Sequence, residues 1–103
     1  MKNAIKIKKA TLGSLKELSL ILDQYRVFYQ QESDPIKAFE FLKDRYRKKQ
    51  SIIYLAILDK KIVGFTQLYP TYSTVSLEKF MILNDLFVTK EYRDNGIATK
   101  LLR

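Results

Sequence analysis

The chemistry open to this chain is limited first by the residues it lacks. Its 103 residues include no histidine and no cysteine. Histidine is the usual general base beside a serine or cysteine nucleophile, so Ser-His-Asp and Cys-His mechanisms are excluded. A thiol nucleophile, a disulfide framework and a cysteine-based zinc site are excluded as well. Any catalysis must therefore use carboxylates, tyrosine, lysine, ordered water or backbone amides.

A possible anion site follows an apolar run near the end of the chain. The run Phe80–Val88 leads into a polar loop, 89–95, and Gly96 stands where a helix is predicted to begin. The first turn of a helix leaves amide N–H groups without intrahelical partners, and together with the helix dipole they favour phosphate. Gly96 has no Cβ atom to keep an anion away from the backbone, and Arg93 adds a guanidinium. From the residues alone, a plain strand-to-helix connection is an equal interpretation.

The periodicity of the first third of the chain predicts a strand and a helix. Ala4–Lys8 alternates between apolar and basic residues, as a short strand does. A helix is predicted to begin at Thr11 or Ser14, and Ser14 with Glu17 has the spacing of a capping box. One stripe of this helix is predicted to face a core, formed by Leu15, Leu18, Leu22, Tyr25 and Tyr29.

A second helix is predicted to begin after Asp34, which can cap it, with Pro35 at its first position. It is predicted to end near Lys49, and its buried face is formed by Ile36, Phe39, Leu42 and Tyr46. The densest basic run of the chain, 45–49, lies at its end. We interpret this run as a solvated helix C-terminus rather than a nucleic-acid patch, because no helix-turn-helix or aromatic RNA-binding signature accompanies it.

The remaining residues predict a β-hairpin, a third strand and a last helix. The hairpin strands are Ser51–Leu58 and Lys61–Tyr69, with Asp59-Lys60 as the turn and Pro70 closing the second strand.

Residues 71–78 are polar and irregular, and Phe80–Val88 is predicted to be a strand covered on both faces. Gly96–Arg103 begins a helix. The order β-α-α-β-β-β-α predicts one domain of the α/β (α+β) class, with a mixed, mostly antiparallel sheet flanked by helices.

The segment Arg93-Asp94-Asn95-Gly96-Ile97-Ala98 resembles the Arg/Gln-x-x-Gly-x-Gly/Ala signature of the GNAT N-acetyltransferases. Val63-Gly64-Phe65 and Leu86-Phe87-Val88 are similar to runs in the corresponding strands of that family, and the element order also matches. The resemblance therefore covers all 103 residues. Residues 84–98, together with Tyr69-Pro70-Thr71-Tyr72, are most similar to the diamine (spermidine/spermine) acetyltransferase branch.

The resemblance implies that acetyl-CoA is the cosubstrate and implies no metal. Backbone groups of Leu86, Phe87 and Val88 would pair with the pantetheine arm, and the Val88 N–H would donate to the thioester carbonyl. The pyrophosphate would be held by the loop and the helix start, through Arg93, Asp94, Asn95, Gly96, Ile97, Ala98 and Thr99. Asp94 departs from the family pattern, in which glycine is frequent.

The implied reaction transfers an acetyl group to a primary amine of a small molecule. An alkylamine with a pKa of about 10.4 is almost entirely protonated at neutral pH, so a base or a water chain must take the proton. Asp85 and Glu78 are the candidates, acting directly or through water, although we favour the interpretation of Asp85 as a structural carboxylate that accepts loop or bulge hydrogen bonds.

Five residues are candidates for contact with the amine, namely Tyr25, Tyr29, Glu32, Tyr69 and Asn84. Asn84 stands where the diamine branch tends to have an acid, and Arg26 adds a positive charge nearby. A small primary amine or an amino-acid-like substrate is therefore as consistent with the sequence as a polyamine.

The resemblance also implies that the family fold continues past this last helix, with a strand that completes the cofactor wedge and a tyrosine that protonates the leaving thiolate. We therefore expect an incomplete domain, 1–103, in which the open edge of Phe80–Val88 favours a homodimer or another association.

The net charge of the chain and the expected incompleteness of the domain leave two other functions open. One is a catalytically inactive remnant that binds coenzyme A or a protein partner. The other is a small basic nucleic-acid-binding module, which rests only on the formal net charge of +8. No apolar run approaches the roughly 20 residues that cross a bilayer, and the N-terminus lacks an apolar signal core. We expect a cytoplasmic protein with no membrane partner.

Overall fold

The computed structural model describes residues 5–102, in which the helices and strands follow the predicted order. Their bounds are β1 Lys6–Lys9, α1 Leu15–Phe28, α2 Pro35–Arg47, β2 Ile52–Leu58, β3 Lys61–Ser73, β4 Glu78–Val88 and α3 Ile97–Leu101. Short 3-10 turns at Leu12–Ser14 and Lys90–Tyr92 precede α1 and α3. Ala4 and Arg103, the outer residues of the first and last predicted elements, lie outside the described residues.

The strands form one antiparallel sheet in the order β1-β2-β3-β4. The tight connection between β2 and β3 is the predicted one, and Asp59 and Lys60 have the left-handed φ angles of 52° and 65° that such a hairpin needs. The predicted α+β fold with a mostly antiparallel sheet is therefore confirmed.

Helices cover both faces of this sheet. On one face, α1 and α2 bury an apolar cluster that includes Leu15, Leu18, Leu42, Leu55, Phe65 and Phe87. On the opposite face, α3 packs Ile97 and Leu101 against Ala56, Val63 and Val88. Successive residues of a strand point to opposite faces, so Phe87 and Val88 anchor the end of β4 in both clusters. Each fully buried side chain of this size contributes roughly 1.5–3 kcal/mol, which holds the strand end in place.

The predicted capping box at the start of the first helix is wrong. Ser14 already has helical backbone angles, and its hydroxyl donates to the Thr11 carbonyl at 2.7 Å while accepting from the Thr11 N–H at 2.9 Å. Glu17 does not cap the helix, because its carboxylate accepts a hydrogen bond from the Ile62 N–H of β3 at 2.8 Å. A long-range contact thus replaces the local one.

The cap of the second helix is as predicted, and so are Phe39 and Leu42 of its buried face, but Ile36 and Tyr46 are not. Asp34 accepts a hydrogen bond from the Lys37 N–H at 3.0 Å, and Pro35 is the first helical residue. Ala38 and Leu42 are buried, whereas Ile36 is 77% exposed and Tyr46 is also exposed. Since α2 packs mainly on α1, a narrow stripe one turn long is enough to cover the contact.

Pro70 does not close the second strand of the hairpin, because β3 continues to Ser73. The first residue of β2, Ile52, lies opposite Leu68, so Pro70 has a strand neighbour only in β4, opposite Met81. A proline is tolerated where the N–H side has no strand partner. The predicted irregular segment 71–78 therefore shrinks to a short turn around 74–77.

The prediction that Phe80–Val88 is covered on both faces is also wrong for most of its length. Only the last two residues, Phe87 and Val88, are buried, while Phe80, Ile82 and Leu83 are exposed. Within residues 5–102, β4 has a strand neighbour on one side only. Apolar composition alone does not distinguish a buried central strand from an exposed edge strand.

Candidate functional site

A groove of about 510 Å³ runs along the end of β4 and the loop that follows it. Nine of the ten residues predicted to hold the cosubstrate line this groove; they are Leu86, Phe87, Val88, Arg93, Asp94, Gly96, Ile97, Ala98 and Thr99. The exception, Asn95, donates through its side-chain amide to the Tyr92 and Arg93 carbonyls, each at 3.2 Å, and so holds the loop in shape.

The register of β4 determines which backbone groups face the groove. The Thr89 N–H donates to the Val63 carbonyl at 2.9 Å, so Thr89 and Val63 form a hydrogen-bonded pair. Such pairs alternate along antiparallel strands, and therefore Val88 and Leu86 direct their N–H and C=O groups to the open side. Phe87 directs its backbone to β3, so the expectation that its backbone groups pair with the cosubstrate is wrong. The Phe87 side chain lines the groove instead.

The loop before α3 uses left-handed backbone angles at two residues. Asp94 has φ 67° and Gly96 has φ 73°. A non-glycine residue in this region is strained, which explains physically why glycine suits position 94. A Cβ atom added to Gly96 would meet no other atom within 4 Å, so the backbone there faces open space. With α3 only five residues long, an anion would be held by the local amides of this loop more than by a long helix dipole.

Arg93 lies across the groove. Its Nε–H donates to the Val88 carbonyl at 2.9 Å, and its guanidinium lies 5.3 Å from the Phe28 ring centre and 5.2 Å from that of Phe87. Contacts between a guanidinium and aromatic rings at this range are attractive. Arg93 therefore connects the loop 89–95, to which it belongs, with α1 and the end of β4.

A second cavity, of about 370 Å³, lies between α1, α2 and the middle of β3 and β4. It is lined by four residues predicted for amine chemistry, namely Tyr25, Tyr69, Asn84 and Asp85. Tyr29 does not line it, because Tyr29 is exposed and packs its ring against Tyr25 and Phe28. Glu32 is exposed too, and its backbone carbonyl, not its carboxylate, contacts Arg26.

The Asp85 carboxylate is the polar centre of this second cavity. One oxygen accepts from the Tyr25 hydroxyl at 3.1 Å, and the other accepts from the Gln67 side-chain amide at 3.1 Å. The amide of Asn84 lies 3.3 Å from both oxygens. An extra residue in β4 between the pairs Gln67–Asp85 and Leu68–Leu83 makes Asn84 a β-bulge, which turns this stretch of the strand.

The tyrosines near Asp85 are held in their neutral form. Burial, followed by the Asp85 charge and hydrogen bond, raises the pKa of Tyr25 from 10.0 to about 12. Burial and the Asp85 charge likewise raise the pKa of Tyr69. Tyr25 therefore donates its hydroxyl proton to Asp85 throughout the physiological range of pH.

Sequence reasoning missed Gln67 and Phe28. Gln67 is 1% exposed and also accepts from the Ser51 hydroxyl at 2.9 Å, so it orients Asp85 from within the core. Its signal was a glutamine inside the apolar strand run 62–69. The alternative base, Glu78, is not near: it begins β4 seven residues before Asp85, about 23 Å away at strand spacing.

In residues 5–102, no group of three or more His, Cys, Asp or Glu residues is arranged to hold a metal ion. No helix in this range is long and apolar enough to cross a membrane.

A four-stranded antiparallel sheet, helices on both faces and a groove at the end of one strand match the GNAT fold. The model of the acetyltransferase (GNAT) family matches residues 17–103, and the chain belongs to this family.

Known proteins similar to this chain carry the same fold. The chain is 42% identical to the uncharacterized N-acetyltransferase YhfO of Bacillus subtilis, over 93% of this chain and 64% of that protein. It matches the crystal structure of a probable acetyltransferase at 42% identity with a TM-score of 0.89, over 94% of this chain and 66% of that one. A predicted acetyltransferase from Clostridium acetobutylicum, crystallised with acetyl-CoA, shares the fold at 13% identity with a TM-score of 0.77, over 96% of this chain and 69% of that one. The chain thus spans about two thirds of the length of these proteins.

Proposed function

We propose that this chain supplies the cosubstrate groove and the amine cavity of an N-acetyltransferase that moves an acetyl group from acetyl-CoA to a primary amine of a small molecule. The observation that carries the proposal is the position of β4, whose end lines the groove and whose bulged middle lines the Asp85 cavity. Both substrates can therefore meet along one strand.

The residues of the groove fit a nucleotide thioester. The outward-facing N–H groups of Leu86 and Val88, together with the Leu86 carbonyl, offer the donors and the acceptor that an amide-containing pantetheine arm needs, in the manner of an added strand. The Val88 carbonyl already accepts from Arg93. The open backbone at Gly96 offers room and N–H groups for a pyrophosphate. When bound, acetyl-CoA supplies an acetyl group activated as a thioester.

Asp85 is the proposed proton acceptor. A substrate ammonium entering the cavity meets this carboxylate, which Tyr25 and Gln67 hold in place. Since the Asp85 oxygens already accept hydrogen bonds from Tyr25 and Gln67, we propose that Asp85 works through a water molecule that relays the amine proton. Asp85 and Val88 are three residues, or about 10 Å, apart along β4, which leaves room for an amine and one water between them.

The Val88 N–H is the proposed donor to the thioester oxygen. A backbone donor on a strand anchored in two apolar clusters needs no rearrangement when negative charge develops on that oxygen. In the balanced reaction, a bond forms between the amine nitrogen and the carbonyl carbon, the carbon–sulfur bond breaks, and the thiolate of coenzyme A leaves. The amine gives its proton to the water, which passes one of its own protons to the Asp85 carboxylate.

Calorimetric titration with acetyl-CoA tests the groove directly. We expect saturable binding to the wild-type chain and its loss in Gly96→Glu, because the new carboxylate would project into the space proposed for the pyrophosphate. The control is Gly13→Glu, at another exposed glycine far from the groove. Equal binding by wild type and Gly96→Glu, or no binding at all, would contradict the proposed site.

A thiol-release assay then tests the chemistry. Because the chain has no cysteine, any thiol detected comes from coenzyme A. We expect amine-dependent release that falls at least about tenfold in kcat for Asp85→Asn, with acetyl-CoA binding preserved. Binding without release for any amine would favour the alternative, a protein that binds coenzyme A without acetylating. The diamine branch stays a prediction, which the same assay with spermidine as the amine would test.

A further inference from the structure

The charges around the amine cavity are unevenly placed. Its single carboxylate, Asp85, lies on the β4 side, whereas two cations, Arg26 of α1 and Lys37 of α2, lie on the helix side. Apolar side chains of Leu22, Ala38 and Phe41 also line the cavity. The cavity therefore combines a carboxylate from the sheet, two cations from the helices and an apolar lining.

We propose that the acceptor substrate carries an anionic group, a carboxylate or a phosphate, at the end opposite to its amine. This inference rests on the proposed function. The ammonium end would lie at Asp85, beside the rings of Tyr25 and Tyr69, which also attract cations. The anionic end would lie at Arg26 and Lys37, and the carbon chain between the two ends would lie on the apolar lining.

Arg26 is suited to hold an anion. One guanidinium nitrogen donates to the Glu32 carbonyl at 3.1 Å, which fixes the side chain at the rim of the cavity. It is the only hydrogen bond from the Arg26 side chain to a group in residues 5–102, so further N–H donors of its fork are available. Arginine forks bind carboxylates and phosphates through paired hydrogen bonds.

The same charges disfavour a diamine. A second ammonium at the helix end would face Arg26 and Lys37 with no carboxylate from the cavity wall to offset them. Glu32, which might have supplied such a carboxylate, turns its backbone carbonyl to Arg26 and is exposed. Like charges at close range near a protein surface repel, which disfavours a diamine relative to an anionic amine of equal length.

Binding of matched ligands tests this inference without requiring turnover. The probes are ω-aminoalkanoates, ω-aminoalkyl phosphates, α,ω-diamines and simple alkylamines, each in a series of chain lengths, titrated by calorimetry into the chain saturated with coenzyme A. We expect the best aminoalkanoate or aminoalkyl phosphate to bind at least about tenfold tighter than the diamine of equal length. The carboxylate and phosphate arms decide which anion the cavity prefers.

Variants assign the preference to the helix-side cations. Arg26→Gln is expected to reduce the ratio of affinities between the anionic amine and the diamine to about twofold or less, and Lys37→Gln, at an exposed site, to reduce it in the same direction. The matched control, Arg47→Gln, removes a cation of α2 outside the cavity and should keep the full ratio. Circular dichroism establishes that each variant is folded.

Three results would overturn the inference: equal or tighter binding of the diamine, no binding of any amine, or a preference unaffected by both Arg26→Gln and Lys37→Gln. Selective binding of anionic amines without acetyl transfer to any of them would instead refute the proposed activity and leave the inference standing. Acetyl transfer with a preference for diamines would support the proposed activity and refute the inference.

Discussion

At the scale of single residues, Asp85 draws its partners from three elements. The Tyr25 hydroxyl comes from α1, the Gln67 amide from β3 and the Asn84 amide from the bulge in β4 itself. These hydrogen bonds hold the carboxylate at the wall of the cavity. The same hydrogen bonds would suit either a structural carboxylate or one positioned to accept a proton. The ligand that enters the cavity, and not these hydrogen bonds, therefore distinguishes the two roles of Asp85.

Tyr25 provides a titration that reports on this cluster. Its pKa of about 12 means that the folded chain keeps a proton that the unfolded chain, with a tyrosine pKa near 10.0, releases. Since the folded state binds more protons in this window, the free energy of unfolding falls as pH rises from about 10 to about 12. Absorbance of tyrosinate measures the titration, and the absence of tryptophan simplifies the spectrum.

In the tyrosinate absorbance titration, we expect the step with the highest pKa to be absent in Tyr25→Phe. In Asp85→Asn we expect the pKa of this step to be lower than in the wild type. The shift would be partial, because burial of the ring is the largest cause and is kept in Asp85→Asn. A matched control is Tyr72→Phe, at an exposed tyrosine far from Asp85 along β3. If Tyr25→Phe leaves the high-pKa step in place, the hydrogen bond to Asp85 is not formed in solution.

Asp94 offers a second test at this scale. It combines a left-handed φ of 67° with a negative charge in the loop proposed to hold a pyrophosphate. Asp94→Gly would remove both, so we expect unchanged or slightly higher stability and several-fold tighter binding of acetyl-CoA, with the gain shrinking at high salt. Calorimetry at two ionic strengths measures it. Weaker binding by the glycine variant would show that the Asp94 side chain contributes a contact.

At the scale of elements, the pairing of β3 with β4 positions both cavities. Val63-Gly64-Phe65 lies opposite the end of β4, and the chain approaches so closely there that a Cβ atom at Gly64 would lie 2.9 Å from the Phe87 carbonyl oxygen. Gly64 is therefore needed for close packing of two strands and not for a turn. Because Phe87 and Val88 lie in different apolar clusters, any displacement of this pairing reaches both faces of the sheet.

Gly64→Ala is accordingly expected to lower the free energy of unfolding by about 1–3 kcal/mol, since backbone atoms must move apart to admit the methyl group. Urea denaturation measures the change. Gly13→Ala serves as the control, because the nearest atom to a Cβ at Gly13 would be the Thr11 hydroxyl oxygen, 4.0 Å away. Equal stability of Gly64→Ala and wild type would contradict the close contact.

At the scale of the whole molecule, the β3–β4 hairpin extends beyond the helices and exposes apolar residues. Phe80, Ile82 and Leu83 are exposed on β4, and Val75 and Leu77 are exposed at the turn. Within residues 5–102, the outer edge of β4 has no strand beside it. An exposed apolar edge strand favours association with another chain, so association through this edge stays our prediction.

Light scattering at increasing protein concentration tests this association. We expect the mass to rise with concentration for the wild type and to stay closer to that of a monomer for Ile82→Lys, because a lysine on an edge strand opposes strand addition. Leu20→Lys, at a similarly exposed apolar residue on α1, is the control. A wild-type chain that stays monomeric at high concentration would contradict the prediction.

What the sequence determined by itself is local. The hairpin turn at Asp59-Lys60, the cap at Asp34 and the loop from Arg93 to Gly96 depend on residues adjacent in the chain, so residue type and spacing predict them. Part of the buried stripe of α2 and the extent of β3 past Pro70 were mispredicted, because both depend on which other elements lie alongside.

Only the tertiary structure brought the two sites together. Tyr25 and Asp85 are 60 residues apart in the chain, and Gln67 and Asp85 are 18 apart, yet all three meet at one carboxylate. The register of β3 and β4 decided that Leu86 and Val88, and not Phe87, direct their backbone groups to the groove. Periodicity predicts which residues share a face, but a one-residue difference in register exchanges the inward and outward groups, and that register is set by packing between elements.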